Sequence, residues 1–395
     1  MDIERQPAAW YAFLPLRHSN HVWGVIMIRN IGNLFGLLLV VALFTPFALA
    51  QNTQQTHWDT HEGDFIVHNF HFNDGETIPE LRLHYTTLGT PHRNAQGQVT
   101  NAVLILHGTG GTGHQFLSPI YAGELFGKGQ LLDSSTHYII LPDDIGHGKS
   151  SKPSDGLRMK FPHYDYADMV QGEYHLVTEG LHVNHLRLVT GTSMGCMHSW
   201  MWGEAHPDFM DALMPLACNP VQIVGRNRID RRMIIDLIRS DPAWDNGNYQ
   251  SEPVQGLRGA LSVELLMVSA PLYWHHTYDT PQKADDFLHN YLDNAVKRVD
   301  ANDLIYAFDA SRTYNPEPDL GKVTAPLLAI NSADDFVNPP ELHIVDELIH
   351  RVPHGRFVLL PITNETRGHG THTRAAVWKN YLAELLAETR PNASD

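Results

Sequence analysis

The chain is poor in cysteine, in positive charge and in long apolar runs, and each shortage excludes something. Cys196 and Cys218 are its only cysteines in 395 residues. A framework of disulfides is ruled out by that count. One bridge is open to the pair, and two free buried thiols are the simpler expectation. Lysine and arginine total 28 against 44 acidic residues, a formal net charge of −16. Basic residues form no run in the body of the chain, so nucleic acid is not an expected partner. Past residue 50 no segment is long and apolar enough to span a bilayer. Charged residues make up 18% and hydrophobic ones 43%, which is too apolar for a disordered chain and enough for a large core.

Histidine is plentiful, with 26 residues, but scattered. The pairs His182/His185 and His275/His276 lack a supporting cysteine or carboxylate constellation, so they read as surface or core histidines. No metal site and no cofactor are expected.

The first fifty residues do not read as fold. Ile31 to Ala50 is almost wholly apolar, follows Arg29 and ends in Ala48-Leu49-Ala50 before polar Gln51. A basic residue, an apolar stretch and a small-x-small ending form a secretory signal. Met27 lies just upstream, so residues 1–26 are readable as an over-called start. The competing reading is an uncleaved membrane anchor, since the stretch approaches spanning length. Pro46 and the Ala-x-Ala ending favour cleavage. The mature protein is expected to be exported and soluble, periplasmic or secreted, with no stable membrane insertion.

After Phe65 the chain alternates short apolar runs with helical patterns. His68–Phe72 and Leu81–Leu88 alternate partially and flank Asn73-Asp74-Gly75, which predicts an antiparallel hairpin. Val103–Leu106, Tyr138–Leu141, Leu186–Val189, Leu213–Ala217, Leu327–Ile330 and Phe357–Leu360 are near-continuous apolar runs of strand length. Runs without alternation predict strands buried on both faces of a mostly parallel sheet. Val170, Tyr174, Val177 and Leu181 share one helical face, and Trp378, Tyr381, Leu382 and Leu385 share another. The fold class is therefore α/β, a doubly wound sheet with ligands at the carboxyl ends of its strands. Residues from about 220 to 314 break the rhythm. They read as a helical lid inserted into one domain spanning 51–395.

Chemistry enters where the Leu186–Val189 strand runs into Gly191-Thr192-Ser193-Met194-Gly195 and then a helix. This is G-x-S-x-G in a strand–turn–helix setting, which exposes the serine on a turn too tight for flanking side chains. A serine hydroxyl needs a base, and the base needs an orienting acid. Two later strands end in loops that supply them. One carries Asp334-Asp335, of which a single carboxylate can face a histidine. The other carries His369 in Gly368-His369-Gly370, with His372 beyond it as the competing base. His369 holds the apex, and His372 is expected to open the last helix. The loop His107-Gly108-Thr109-Gly110-Gly111, with the residue after the serine, offers backbone N–H groups to an oxyanion, at Thr109 and Met194. The same loop lacks the lysine of a phosphate-binding P-loop.

With these residues in place, the chain resembles the α/β-hydrolase superfamily, and within it the homoserine O-acetyltransferase branch, over roughly Leu81 to Leu386. The resemblance rests on Asp143 to Ser150, Tyr166 to Val170, Gly191 to Trp200, Asp241-Pro242-Ala243-Trp244 with Gly247 and Tyr249, and both late loops. It implies an α/β-hydrolase fold and a triad of Ser193, Asp335 and His369 that forms an acyl-enzyme. The spacing of Asp335 to the Pro339-Pro340 pair is similar to the acid loop of that family, which selects it over Asp334. Two departures matter. The branch follows its catalytic histidine with an aspartate that holds the acceptor's amino group, and here Gly370 stands there. Cys196 replaces a glycine of the nucleophile motif. These departures, with export away from acyl-CoA, lead us to expect an exported serine hydrolase acting on a small carboxylic ester or related acyl bond. An acyltransferase on the same triad is the alternative, and a non-catalytic binding protein a third. A homodimer is one option the sequence leaves open.

Overall fold

A computed structural model describes residues 58–389. The signal-like stretch and the proposed start at Met27 lie outside the described residues. The chain enters as the hairpin the turn residues predict: β1 (Thr60–His71) and β2 (Thr77–Leu88) pair antiparallel, with Gly75 at φ +90 in the turn. Both strands are longer than the apolar alternation suggested, because ladder pairing carries polar residues such as Thr60↔Leu88 and Asp64↔His84.

The central sheet has eight strands in the order β1-β2-β4-β3-β5-β6-β7-β8. Its further strands are β3 (Ala102–Leu106), β4 (Tyr138–Pro142), β5 (Leu188–Thr192), β6 (Leu213–Leu216), β7 (Leu327–Ser332) and β8 (Gly355–Leu360). All neighbours from β4 to β8 run parallel, and β2 joins β4 antiparallel. Continuous apolar runs serve two cores at once. In β3, Leu104 and Leu106 face one core while Val103 and Ile105 face the other, so the period of two survives without polar residues. Two expectations shift. β5 begins two residues later than the apolar run and reaches Thr192, because Gly191 and Thr192 pair with Leu106 and Leu216. β8 is an edge strand with Arg356 and Leu359 exposed, so its apolar run is not buried on both faces.

Helices cover the sheet: α1 (Ala122–Leu125), α2 (Tyr166–His175) and α3 (Met194–Ala205) precede β6. Asp165 caps α2, its carboxylate accepting from Asp168 N–H while the Asp168 side chain accepts from Asp165 N–H. The predicted Val170–Leu181 face runs through α2 and out along a wider π turn at Leu176–Gly180. Between β6 and β7 comes the insertion, α4 (Gly225–Ser240), α5 (Val254–Met267), α6 (Pro271–Thr277), α7 (Pro281–Ala295) and α8 (Ala301–Asp309). It has a core of its own around Ile234, Ile238, Leu257, Leu261 and Phe308. α9 (Ile344–Leu348) links β7 to β8, and α10 (Ala375–Glu388) closes the chain with Trp378, Leu382 and Leu385 buried.

The insertion reaches the loops at the carboxyl ends of β7 and β8. Arg367 lies over the Tyr273 ring at 4.0 Å, Gly368 packs against Ser269 and Ala270, and Arg226 donates to the Phe336 carbonyl at 3.3 Å. Among the described residues no helix is long and apolar enough to cross a membrane.

Candidate active site

Ser193 sits between β5 and α3 with φ 57 and ψ −109, a backbone conformation few non-glycine residues adopt. The turn is held because Ser193 N–H donates to the Leu216 carbonyl and Gly195 N–H donates to the His107 carbonyl. Both flanking glycines are required. A Cβ on Gly191 would collide with the backbone of Gly195, and one on Gly195 with the carbonyl of Leu106. Tight packing of helix onto strand thus sets the serine on a strained bend, half-exposed at the sheet's edge.

The structure brings together the three residues singled out in the sequence. His369 Nε2 lies 2.8 Å from Ser193 Oγ, and His369 Nδ1 lies 2.8 Å from Asp335 Oδ2. An ionised carboxylate only accepts, so Nδ1 carries the hydrogen and Nε2 is free to accept from the hydroxyl. Asp335 is fully buried. Burial works to raise its pKa, but the charge of His369 and hydrogen bonds from His369, Asn338 and Val337 N–H outweigh it, and the carboxyl titrates below its ordinary value. Asn338 Nδ2 also donates to the Ala217 carbonyl, which ties the acid loop to the end of β6.

The competing residues fall into supporting positions. Asp334 accepts from the Ser332 hydroxyl at 2.5 Å and from Gly368 N–H at 3.0 Å. It caps its own turn, as a spare aspartate should, and also braces the histidine loop. His372 lies in a short 3₁₀ turn (Gly370–Thr373) ahead of α10, its ring edge-on to His369 at 4.9 Å. Burial pushes its pKa down to about 3, with the neighbouring His369 adding to the shift, so its imidazole is neutral.

Thr109 follows Gly108 in the loop after β3, and Met194 follows the serine in sequence. Met194 is the first residue of α3, so its N–H has no carbonyl in the helix to meet. A Cβ on Gly108 would stand 3.4 Å from the Ser193 Cβ, so the loop runs directly past the nucleophile. Residues that sequence reasoning passed over orient it. His107 Nε2 accepts from Asp144 N–H, which leaves the hydrogen on Nδ1, and Nδ1 donates to the Gly108 carbonyl at 2.8 Å. Gly111 N–H donates to the same carbonyl. In a trans peptide the carbonyl and the next N–H point oppositely, so fixing the Gly108 carbonyl fixes the Thr109 N–H. His147 places Nε2 2.8 Å from the Thr109 carbonyl and Nδ1 3.0 Å from the Ile145 carbonyl, so its single N–H in the neutral ring serves one of the two. Burial lowers the pKa of both imidazoles, which keeps them neutral. His107 follows directly on a buried strand and His147 lies in the Asp143–Ser150 motif, which is the signal that could have found them.

Beneath the loop lies a buried polar cluster. His198 Nδ1 donates to Glu173 at 2.7 Å, Trp202 donates to the other Glu173 oxygen, and Asp144 lies 3.7 Å from His198. Burial raises the Asp144 pKa well above the carboxylate range, with the Glu173 charge adding to it, and raises Glu173 to about 7. Ligand atoms of Asp144, Glu173 and His198 lie within 4.8 Å of one another, close enough to gather round an ion. Both Asp144 carboxyl oxygens and His198 Nε2 are buried without a hydrogen-bond partner among the described residues, and no step at Ser193 needs a metal here. The pair His275/His276, read from the sequence as surface or core histidines, lies apart from it in α6.

The cysteines require a correction. They are not free thiols but a disulfide, Cys196–Cys218, with Cα atoms 5.8 Å apart. The elbow folds α3 back over the end of β6, so residues 22 apart in sequence meet beside the nucleophile. A count of thiols could not reveal that approach.

The model of the α/β-hydrolase fold family matches residues 101–361. A homoserine O-acetyltransferase of Moorella thermoacetica is 27% identical over 326 residues, 72% of this chain and 84% of its own. Solved structures share the fold. The homoserine O-acetyltransferase of Bacillus anthracis superposes with a TM-score of 0.72 at 21% identity, over 83% of this chain and 97% of that one. An acetylester hydrolase of Corynebacterium glutamicum gives 0.73 at 21% identity, over 83% and 96%. By its sheet, its elbow and the extent of the match, the chain belongs to the α/β-hydrolase fold family.

Proposed function

We propose that the protein is an exported serine hydrolase that cleaves a small carboxylic ester, or a related acyl bond, through an acyl-enzyme on Ser193. The observation that carries this is the unbroken hydrogen-bond chain from Ser193 through His369 to buried Asp335. In the reaction Ser193 Oγ attacks the carbonyl carbon while its proton passes to His369 Nε2. The oxyanion that forms is met by the N–H groups of Thr109 and Met194. Collapse expels the alcohol, which takes the proton from His369. Water then repeats the sequence and releases the acid.

Hydrolysis is favoured over transfer by position 370. Gly370 offers no carboxylate beside the base to hold an acceptor's ammonium. The names of similar proteins include both chemistries, a homoserine O-acetyltransferase and an acetylester hydrolase, so the shared fold supports acyl chemistry in general. Export is supported by the apolar stretch ending in Ala48-Leu49-Ala50 and by the disulfide, a bond that persists in oxidising compartments.

The test is turnover of an activated acetyl ester by purified protein, with and without homoserine. Acid released at the same rate in both supports the reading. Acceleration by homoserine with acetylated homoserine as product would overturn it in favour of the acyltransferase.

A further inference from the structure

One ionisable side chain at this site has no role in the mechanism. Glu264, on α5 of the insertion, brings its carboxyl against the oxyanion loop: Oε1 lies 3.4 Å from where a Cβ on Gly110 would stand. Gly110 is exposed and Glu264 half-buried, so the carboxyl is largely enclosed but lies beside an exposed part of the loop. No hydrogen bond or ion pair holds it among the described residues. Arg231 of α4 and Tyr291 of α7 are the ionisable groups that face it. Arg231 is otherwise engaged, donating to Asn227 Oδ1 at 2.8 Å and Ser311 Oγ at 3.1 Å and lying over the Phe308 ring. Burial raises the Glu264 pKa to about 7, and Arg231 only partly offsets it.

We propose that Glu264 sets the charge preference of the site, which takes carboxylic esters carrying a positive charge a few atoms from the scissile carbonyl. The reach is right. Gly108 touches Ser193, and Gly110 is two residues further on, so the carboxyl lies no more than about 14 Å from the nucleophile. That bound admits an ester whose cation is a few bonds from its carbonyl, plus one ion-pair contact. A carboxylate left unpaired in a partly desolvated cleft gains from a cation and repels an anion. Such a ligand also supplies the partner Glu264 lacks, and draws its pKa back down. This inference deepens the hydrolase reading and rests on it.

The experiment compares isosteric esters that differ only in charge. Acetylcholine against 3,3-dimethylbutyl acetate places the charge on the alcohol side. The 4-nitrophenyl esters of 4-(trimethylammonio)butanoate and 5,5-dimethylhexanoate place it on the acyl side. The wild-type ratio of kcat/KM, cationic over neutral, should be at least about fivefold in one pair, and Glu264→Gln should bring it near unity. Each ratio is internal to one protein, so a general loss of activity cancels. Ratios at or below one in both pairs, or a preference that survives Glu264→Gln, overturn the proposal. Should no ester be turned over, the hydrolase reading fails on its own, and calorimetry with choline decides this one. Binding weakened by Glu264→Gln supports it, and absence of binding to the wild type overturns it.

Discussion

Asp335 and Asp334 are adjacent carboxylates with different tasks, and substitution should separate them. Asp335→Asn keeps the shape but presents an amide to His369 Nδ1, which favours the wrong tautomer, so kcat should fall by about 10³–10⁴. Asp334→Asn loses charge in the brace to Gly368 and should cost about tenfold or less, since the Ser332 and Gly368 contacts survive in part. Steady-state kinetics on one ester distinguishes the two, and equal losses would mean that the acid has been misassigned. His107→Ala releases the Gly108 carbonyl and with it the Thr109 N–H. It should lower kcat by about 10² with little change in KM, the pattern of an interaction made in the transition state. His372 carries a prediction about pH. Its folded pKa of about 3 lies below the ordinary 6.5, so the unfolded chain binds the extra proton across that window. Stability is therefore lost as pH falls from about 6.5 towards 3. Between pH 6.5 and 5 this one group costs about 2 kcal/mol. Urea unfolding of His372→Gln should show that much less acid sensitivity than the wild type over the same interval.

At the scale of elements, the strand–turn–helix of β5 and α3 is the unit most exposed to small changes. Gly195→Ala drives a methyl group into the Leu106 carbonyl and should destabilise by about 3 kcal/mol or leave the protein insoluble. Replacing Cys196 and Cys218 together by serine removes the tie between α3 and β6. It should cost about 3 kcal/mol, seen as a lower urea midpoint, and wild type under reductant should match the variant. The elements differ in how far their sequence betrays them. The buried strands were legible because apolar residues on both faces leave a run that no surface segment carries, as in Val103–Leu106. The loops of Ser193 and of Asp334-Asp335 were legible because they follow such strands, and His369 because Gly-His-Gly follows an apolar run. The family resemblance selects Asp335 over Asp334. Three features were not. The start of β5 depends on partners in β3 and β6, the exposure of β8 on having no further neighbour, and the disulfide on how α3 folds back. Each is settled by tertiary neighbours, about which a local pattern says nothing. Glu264 escaped for the same reason, since only the seating of the insertion brings α5 to Gly110.

For the whole molecule, a sheet fixes the reacting groups and an inserted set of helices reaches the loops that surround them. The loops after β3, β5, β7 and β8 supply Thr109, Ser193, Asp335 and His369, and the insertion meets the first, third and fourth of these. Changes within α4 to α8 should therefore shift KM and ester preference more than the chemistry, while changes at the sheet's edge should abolish turnover. The proposed export predicts that N-terminal sequencing of the secreted form begins close to Gln51. The central claim is that Ser193 is acylated during turnover. Its most direct test is mass spectrometry of protein quenched while hydrolysing an activated acetyl ester. An acetyl group on the peptide that contains Ser193, absent from Ser193→Ala along with all turnover, is the predicted result; full turnover by Ser193→Ala, or an acetyl group on another residue, would contradict it.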